Sequence, residues 1–143
     1  MLATKTLPVL WIFTYKFNTA SYLTKYKTCL YIRGNLQLPI QAKTYAATLA
    51  AQTFCALIAI TAVFDLEAQQ LDAVNVFTNS ILDEIVYVDF PDGFRQPGFC
   101  LLLLRALYGL RRSPRLWFQD LSTMLKQLGL HATGEDLCLY AND

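Results

Sequence analysis

The first quarter of the chain contains two neighbouring segments whose side chains alternate in character, which restricts both segments to strands. Residues 9–17 carry an aromatic residue at four alternate positions: Trp11, Phe13, Tyr15 and Phe17. Residues 22–33 carry basic residues on one side, Lys25, Lys27 and Arg33, and mainly apolar or aromatic residues on the other. The Asn18–Ser21 segment between them is rich in turn-forming residues. We therefore predict an antiparallel hairpin with one aromatic face and one basic face.

The segment from Thr44 to Phe64 contains no charged residue and is long enough to cross a bilayer. It is rich in alanine and contains several threonines, while its large apolar residues recur mostly at helical spacings. We predict a buried helix of a soluble protein over residues 44–63. A membrane span over residues 44–64 is the less favoured alternative.

Composition limits the remaining possibilities. With 55% hydrophobic and 16% charged residues, the 143-residue chain has ample material for a core and is too apolar for disorder. A net charge of +1 gives no overall attraction to polyanions, so such binding must come from local patches. Four scattered cysteines and one histidine make a zinc site or a disulfide framework improbable and favour a reducing, intracellular compartment.

The rest of the chain predicts alternating strands and helices. Apolar runs at residues 68–77, 83–90 and 99–104 favour strands, separated by turns at Pro91–Gly93 and Pro97–Gly98. An amphipathic pattern predicts a helix over residues 114–128 that ends at Gly129. The predicted fold class is α+β, with antiparallel strands packed against helices.

Asp72 is the one charged residue in the predicted strand 68–77. A lone buried carboxylate costs several kcal/mol unless something pairs with it. It could pair with a basic neighbour, bind a metal ion, or lie at a strand end in water.

Two stretches, "QLDAVNVFTNSILDEIVYVDFPDGF" and "PGFCLLLLRALYGLRRSPRLWF", strongly resemble the reverse transcriptase of Ty1/copia-type retrotransposons. The upstream stretches "LPVLWIFTYKF" and "KTYAATLAA" fit the start of the same domain. The resemblance implies that residues 1–143 form part of a right-hand polymerase. Residues 1–64 would be a fingers-like hairpin and helix, and residues 65–143 a partial palm with inserted fingers strands.

The same resemblance implies a metal site. Asp72 matches the first metal-binding aspartate of the family, and the backbone carbonyl of Ala73 would be a second ligand. The implied cofactor is Mg²⁺, since two such ions support phosphoryl transfer to a primer 3′-hydroxyl. The implied partners are an RNA or DNA template with its primer, deoxynucleoside triphosphates, and the remainder of a polyprotein, with no membrane.

The resemblance also implies which residues contact the nucleotide. Phe77 resembles the aromatic gate that excludes a ribose 2′-hydroxyl, although by chemistry alone it is as well explained as a core aromatic. Tyr108 and Gly109 match the segment beside the incoming nucleotide, where glycine would permit close backbone approach. Pro114 fits the first turn of the following helix.

Two basic groups are candidate phosphate contacts. Lys25, Lys27 and Arg33 would hold a triphosphate or the template, although a charged strand face is often only exposed to solvent. Arg111, Arg112 and Arg115 would contact template phosphates, or be solvated.

The family also carries a Tyr-x-Asp-Asp hairpin downstream of the helix, and this sequence contains none. We therefore expect the isolated chain to be inactive, and to self-associate through the palm edge that this hairpin would cover. The alternatives from other classes are a non-catalytic nucleic-acid-binding remnant and, less favoured, a small membrane protein anchored by residues 44–64.

Overall fold

The structure is a computed structural model that describes residues 5–38 and 43–142. Its secondary structure is mixed, with short antiparallel strand pairs, three α-helices and one 3-10 helix (Gly34–Leu36) among the described residues, as the α+β prediction requires. The elements are β1 (Val9–Phe17), β2 (Leu23–Ile32), α1 (Ala51–Val63), α2 (Val76–Asn79), β3 (Tyr87–Val88), β4 (Leu101–Leu102), α3 (Ser113–Gln127), β5 (His131–Ala132) and β6 (Tyr140–Ala141).

The predicted hairpin is confirmed. β1 and β2 pair antiparallel, with Val9 opposite Ile32 at the base and Lys16 opposite Lys25 near the tip. The turn is held by Asn18, whose side-chain oxygen accepts hydrogen bonds from the backbone N–H groups of Ala20 and Tyr22. This is the local pairing by which asparagine favours turns.

The core lies at the base of this hairpin. It joins β1 and β2 to the segments around β3, the loop before α3 and the first turn of α3. Its buried apolar residues are Leu7, Val9, Ile32, Leu82, Val86, Val88, Ala106, Leu110 and Leu116. A parallel bridge between Leu7 and Val88 connects the two halves of the chain at this point.

The prediction of a strand over residues 68–77 is wrong. Residues 66–73 have no regular structure, and the short helix α2 follows the left-handed residue Asn75. Leu71 is 91% exposed and Asp72 is also exposed. Because the described residues provide no neighbouring strand to bond this backbone, the segment stays irregular and its carboxylate stays in water.

The predicted helix over 44–63 begins later, at Ala51, and among its described residues none is buried. Only Thr53, Leu57 and Thr61 are partly covered, in one narrow stripe. The prediction of a buried helix is therefore wrong. In the two described ranges, no helix combines the length and apolar character needed to cross a membrane.

The strands predicted at 83–90 and 99–104 are each reduced to two residues. β3 and β4 pair antiparallel, with Tyr87 opposite Leu102, and the turns at 92–93 and 97–98 lie between them. The amphipathic helix is confirmed as α3, one residue earlier than predicted. Pro114 lies in its first turn and Gly129 follows its end with φ of +81°.

Two fully buried serines support opposite predictions. Ser113 Oγ donates a 2.7 Å hydrogen bond to the carbonyl of Leu107, whereas Ser80 Oγ has no partner among the described residues. We expect Ser113→Ala to cost about 1–2 kcal/mol, because the Leu107 carbonyl loses its shorter hydrogen bond and keeps only the 3.4 Å bond from the Leu110 N–H, and Ser80→Ala to be neutral or slightly stabilising. Urea unfolding of both variants checks this. A loss at Ser80 equal to that at Ser113 would contradict it.

The N-terminus of α1 is held by a residue far along the chain. The carboxylate of Asp136 accepts hydrogen bonds from the N–H of Ala50 and the hydroxyl of Thr53, each at 3.0 Å, and from the N–H of Cys138 at 2.8 Å. The bonds from Ala50 and Cys138 lower the pKa of Asp136 from its ordinary value. A carboxylate at a helix N-terminus is also favoured by the helix dipole.

This arrangement predicts an acid-sensitive attachment of α1. Because the folded pKa of Asp136 is lowered, its contribution is complete above the unfolded pKa of about 4 and is lost as pH falls through the folded pKa. We expect the urea midpoint to fall less between pH 6 and 3 in Asp136→Asn than in the natural chain. Asp120→Asn, at an exposed position of α3, is the matched control. Parallel pH profiles for the natural chain and Asp136→Asn would contradict the prediction.

Candidate functional site

The irregular segment that replaces the predicted strand forms one wall of an open cleft. Asp72 and Ala73 line this cleft, which has a volume of about 1080 Å³, and the opposite wall is the apolar face of α3. Arg105 also lines the cleft and donates a 2.8 Å hydrogen bond to the carbonyl of Asn79. Thus Asp72 is presented to solvent beside a large groove, without needing a structural partner.

Sequence reasoning missed a second carboxylate in this cleft, that of Asp120 on α3. The signal was available, because Asp120 is a charged residue within the apolar helical stripe formed by Trp117, Leu121 and Met124. Two carboxylates therefore line the cleft. Among the described residues there is no group of three or more histidine, cysteine or acidic side chains that could hold a metal ion.

Phe77 lies in an aromatic cluster next to the core. Its ring meets that of Tyr108 edge-on, with the ring centroids 4.7 Å apart. The ring of Tyr31, on β2, has its centroid 5.4 Å from that of Tyr108. Phe77 is half-buried and packs against the buried core residues. It also lines an apolar cavity of about 400 Å³ beneath residues 46–49. This is the packing expected of a core aromatic, one of the two interpretations of the residue.

The Tyr108–Gly109 segment makes its close backbone contact with the hairpin. The N–H of Ile32 donates to the Tyr108 carbonyl at 2.9 Å, and Gly109 has φ of +95°. A Cβ at Gly109 would overlap the carbonyl of Ile32, and one at Gly34 would overlap the carbonyl of Gly109. Gly109 therefore lies in close backbone contact with β2, and its predicted approach to a nucleotide stays a prediction.

The three arginines near the start of α3 are engaged within the protein. Arg111 donates to the carbonyl of Gly34, and Arg115 donates to the carbonyl of Tyr45. Arg112 forms two hydrogen bonds with the carboxylate of Asp83 and one with the carbonyl of Lys43.

The Arg112 side chain is only 11% exposed. Its hydrogen bond to Asp83 raises its pKa, so the guanidinium keeps its charge. In this conformation the three arginines connect α3 to the segments at residues 34 and 43–45.

The hairpin cations are in the opposite situation. Lys25 and Lys27 are exposed on β2, and Arg33 is exposed just beyond its end. The register adds Lys16, which lies directly opposite Lys25, to the same face. The structure thus separates the predicted site residues into three places: Asp72 and Ala73 in the cleft, the aromatic cluster with the arginines near the core, and the lysines on the hairpin.

Comparison with known proteins places the chain in a family. A family profile described as reverse transcriptase (RNA-dependent DNA polymerase) matches residues 2–143. The chain is 31% identical over 135 residues to the Retrovirus-related Pol polyprotein from transposon RE2 of Arabidopsis thaliana. It is 27% identical over 135 residues to the corresponding polyprotein from transposon TNT 1-94 of Nicotiana tabacum. No solved structure matches it.

Both alignments cover 91% of this chain, but only 9% and 10% of the two relatives. The chain therefore spans about a tenth of the length of these curated relatives. The profile match extends over almost every residue and includes both stretches that carried the resemblance. The chain belongs to the reverse transcriptase (RNA-dependent DNA polymerase) family, as a copia-type reverse transcriptase fragment.

Proposed function

We propose that this chain supplies the fingers and part of the palm of an RNA-directed DNA polymerase that extends a primer 3′-hydroxyl with deoxynucleoside triphosphates. The family match over residues 2–143 carries this proposal. Residues 1–64 would form the fingers part, and residues 65–143 the partial palm with inserted fingers strands. The partners would be an RNA or DNA template with its primer, and the rest of a polyprotein.

The cleft offers donors that suit one hard divalent cation. The Asp72 carboxylate and the Ala73 carbonyl are oxygen ligands on a segment that lines the groove. Mg²⁺ typically uses one or two carboxylates and keeps its waters and substrate phosphates as remaining ligands. When bound there, Mg²⁺ would make the primer hydroxyl more acidic and offset charge on the departing pyrophosphate.

The chain's own side chains would act around that ion. The exposed lysines, Lys25 and Lys27, with Arg33, would attract the triphosphate or the template backbone. The Phe77 ring would pack beneath the sugar and reject a 2′-hydroxyl by steric overlap, and Tyr108 holds that ring in its orientation through their edge-on contact. Gly109 would allow the close contact with β2. The arginines Arg111, Arg112 and Arg115 would hold the backbone at residues 34 and 43–45 through their hydrogen bonds.

A chimaera tests the proposal. This chain would replace the matching part of the transposon RE2 polyprotein, and extension of a DNA primer on an RNA template would be measured with Mg²⁺. We expect extension by the chimaera, none by the isolated chain, and a loss of about 100-fold or more in the Asp72→Asn chimaera. Asp92→Asn, in an exposed turn, is the control and should change the rate by less than about twofold.

A chimaera that folds with normal helix content but does not extend the primer, alongside an active RE2 parent, would contradict retained polymerase function. One alternative function has an observation in its favour, because the lysine face of the hairpin is exposed. This is non-catalytic nucleic-acid binding. Salt-dependent binding of a primer–template by an inactive chimaera would support it.

A further inference from the structure

The apolar cavity of about 400 Å³ between the irregular segment 46–49 and α3 has the size and lining of a ligand site. The rings of Phe77, Trp117 and Phe118 line it, together with the side chains of Leu121 and Leu125. Small-molecule pockets in proteins typically have volumes of about 300–1,000 Å³ and are lined mainly by apolar and aromatic groups. The cavity meets both conditions.

The segment opposite α3 is anchored at both of its ends, which keeps the cavity open. Before it, the Tyr45 carbonyl accepts a 3.3 Å hydrogen bond from Arg115. After it, the N–H of Ala50 donates a 3.0 Å hydrogen bond to the carboxylate of Asp136. Between the anchors the wall carries three short side chains in succession, those of Ala46, Ala47 and Thr48. Because the backbone is held and these side chains are short, the protein leaves this space unfilled.

The lining indicates the charge of the ligand. Among the described residues, no charged side chain lines the cavity, and its polar members are Thr48, Cys138 and Tyr140. Burial, and to a smaller extent the charge of Asp136, raises the pKa of the Cys138 thiol, which is therefore neutral at pH 7. An ionised molecule would lose its hydration here and find no opposite charge. The cavity is thus suited to a neutral ligand.

The rings and the volume indicate the shape of the ligand. Phe77, Trp117 and Phe118 offer aromatic faces and edges, which favour offset or edge-on contact with another flat ring. An apolar cavity of about 150 Å³ is large enough for benzene, so this one has room for a larger ring system. We propose that the cavity between segment 46–49 and α3 binds a neutral, apolar aromatic molecule of two fused rings.

This site goes beyond the proposed function, whose nucleotide substrates carry a triphosphate that an uncharged lining cannot balance. The cavity shares Trp117, Leu121 and Leu125 with the cleft, but neither Asp72 nor Asp120 lines it. Binding to it needs no metal ion, primer or nucleotide. It can therefore be measured on the chain alone, and failure of the polymerase chimaera has no effect on the result.

Alkylation of Cys138 reports whether the cavity is occupied, because this half-buried thiol lines it. The natural chain is treated with iodoacetamide at increasing concentrations of 2-naphthol, and mass spectrometry follows the rate at each cysteine. We expect saturating 2-naphthol to slow alkylation of Cys138 about fivefold or more, since reactivity depends on access to the thiol. Cys55 is exposed on α1 and lies outside the cavity, so its rate should change by less than about twofold.

A charged analogue tests the neutrality of the ligand. 2-Naphthoate has the same two rings and carries a carboxylate, which the lining does not balance. We expect it to protect Cys138 only at concentrations about tenfold higher or more.

Two matched substitutions test the location. Ala47→Phe places a ring in the cavity, whereas Ala56→Phe places the same ring on the exposed surface of α1. We expect Ala47→Phe to weaken protection by 2-naphthol about tenfold or more, and Ala56→Phe to change it by less than about twofold. Circular dichroism checks the helix content of both variants. If Ala47→Phe lowers that content, Ala47→Val fills part of the same space and should weaken protection about threefold.

Four results would overturn the proposal. The first is an unchanged rate at Cys138 in saturating 2-naphthol, and the second is equal slowing at Cys138 and Cys55. The third is equal protection by 2-naphthol and 2-naphthoate. The fourth is full protection in a folded Ala47→Phe variant, since the ligand would then bind elsewhere.

Discussion

Gly109→Ala is expected to lower the free energy of unfolding by about 4 kcal/mol or more, the largest effect of any substitution considered. Two costs add at this position. The left-handed φ of +95° disfavours any residue with a Cβ, and the Cβ itself would overlap the backbone carbonyl of Ile32. Neither cost can be relieved by turning a side chain, because the opposing group is backbone. The base of the hairpin would have to move away from the core.

Substitutions at two other glycines measure the cost of overlap and the cost of the left-handed φ separately. At Gly34 a Cβ would overlap the carbonyl of Gly109 without an unfavourable φ, so Gly34→Ala should cost about 3 kcal/mol through overlap alone. At Gly129 φ is +81° and a Cβ would meet nothing within 4 Å, so Gly129→Ala should cost about 1–2 kcal/mol.

Urea unfolding of the three variants gives the ranking, and fluorescence in a Trp117→Phe background, where Trp11 is the one remaining tryptophan, reports whether the hairpin stays in place. Trp11 donates a 3.1 Å hydrogen bond to the carbonyl of Asp92 and lies 6.3 Å from the Phe94 ring. We expect Gly109→Ala to expose this indole to water, and Gly129→Ala not to do so. Equal stability losses at Gly109 and Gly129 would mean that the hairpin does not approach Gly109 as the structure describes.

Arg112→Met is also expected to have a large effect and to lower the free energy of unfolding by about 2–3 kcal/mol. The guanidinium is mostly buried and bonds both Asp83 and the carbonyl of Lys43, so its removal leaves two acceptors without their donor. Methionine retains an apolar stem of similar length. The loss therefore measures the hydrogen bonds and the ion pair rather than a cavity.

The control is Arg95→Met, which removes an ion pair to Asp92 whose partners are 80% and 76% exposed. Exposed pairs contribute little, so we expect a loss below about 0.5 kcal/mol. Urea midpoints of the two variants check the contrast. If Arg112→Met leaves stability unchanged but weakens RNA binding, the guanidinium leaves Asp83 to contact phosphate, and its structural role would be refuted.

The hairpin and α3 could be predicted from the sequence because their signals are local. Alternation with a period of two, followed by turn residues at Asn18–Ser21, specifies β1 and β2 without help from the rest of the chain. In the same way, Pro114 and Gly129 mark the limits of an amphipathic helix to within a residue or two.

The predictions that were wrong concern segments whose conformation depends on residues distant in the sequence. Residues 68–77 are apolar enough for a strand, but a strand also needs a neighbour to satisfy its backbone, and the described residues provide none there. The first part of the predicted helix, residues 44–50, has no helical structure, and Arg112 and Arg115, far along the chain, donate hydrogen bonds to the carbonyls of Lys43 and Tyr45 next to it.

The sequence identified residues of the candidate site but did not show which side chains lie opposite one another in it. The family resemblance picked out Asp72 and Ala73, which do line a large cleft, but it gave no indication of Asp120 on the opposite wall. The assignments of Phe77 and Gly109 to nucleotide contact remain predictions. In the structure both residues also have packing roles that a sequence pattern cannot distinguish from ligand contact.

The Asp136 cap has a consequence for the order in which the chain can acquire its structure. Ala50 and its cap are separated by 86 positions, so α1 leaves the ribosome without the carboxylate that completes its first turn. At 5–20 residues per second, that carboxylate arrives roughly 4 to 17 seconds later. The hairpin, whose strands are adjacent, can close within microseconds of synthesis. During synthesis, the chain therefore passes through an interval in which β1 and β2 are free to pair while α1 still lacks the Asp136 carboxylate at its N-terminus.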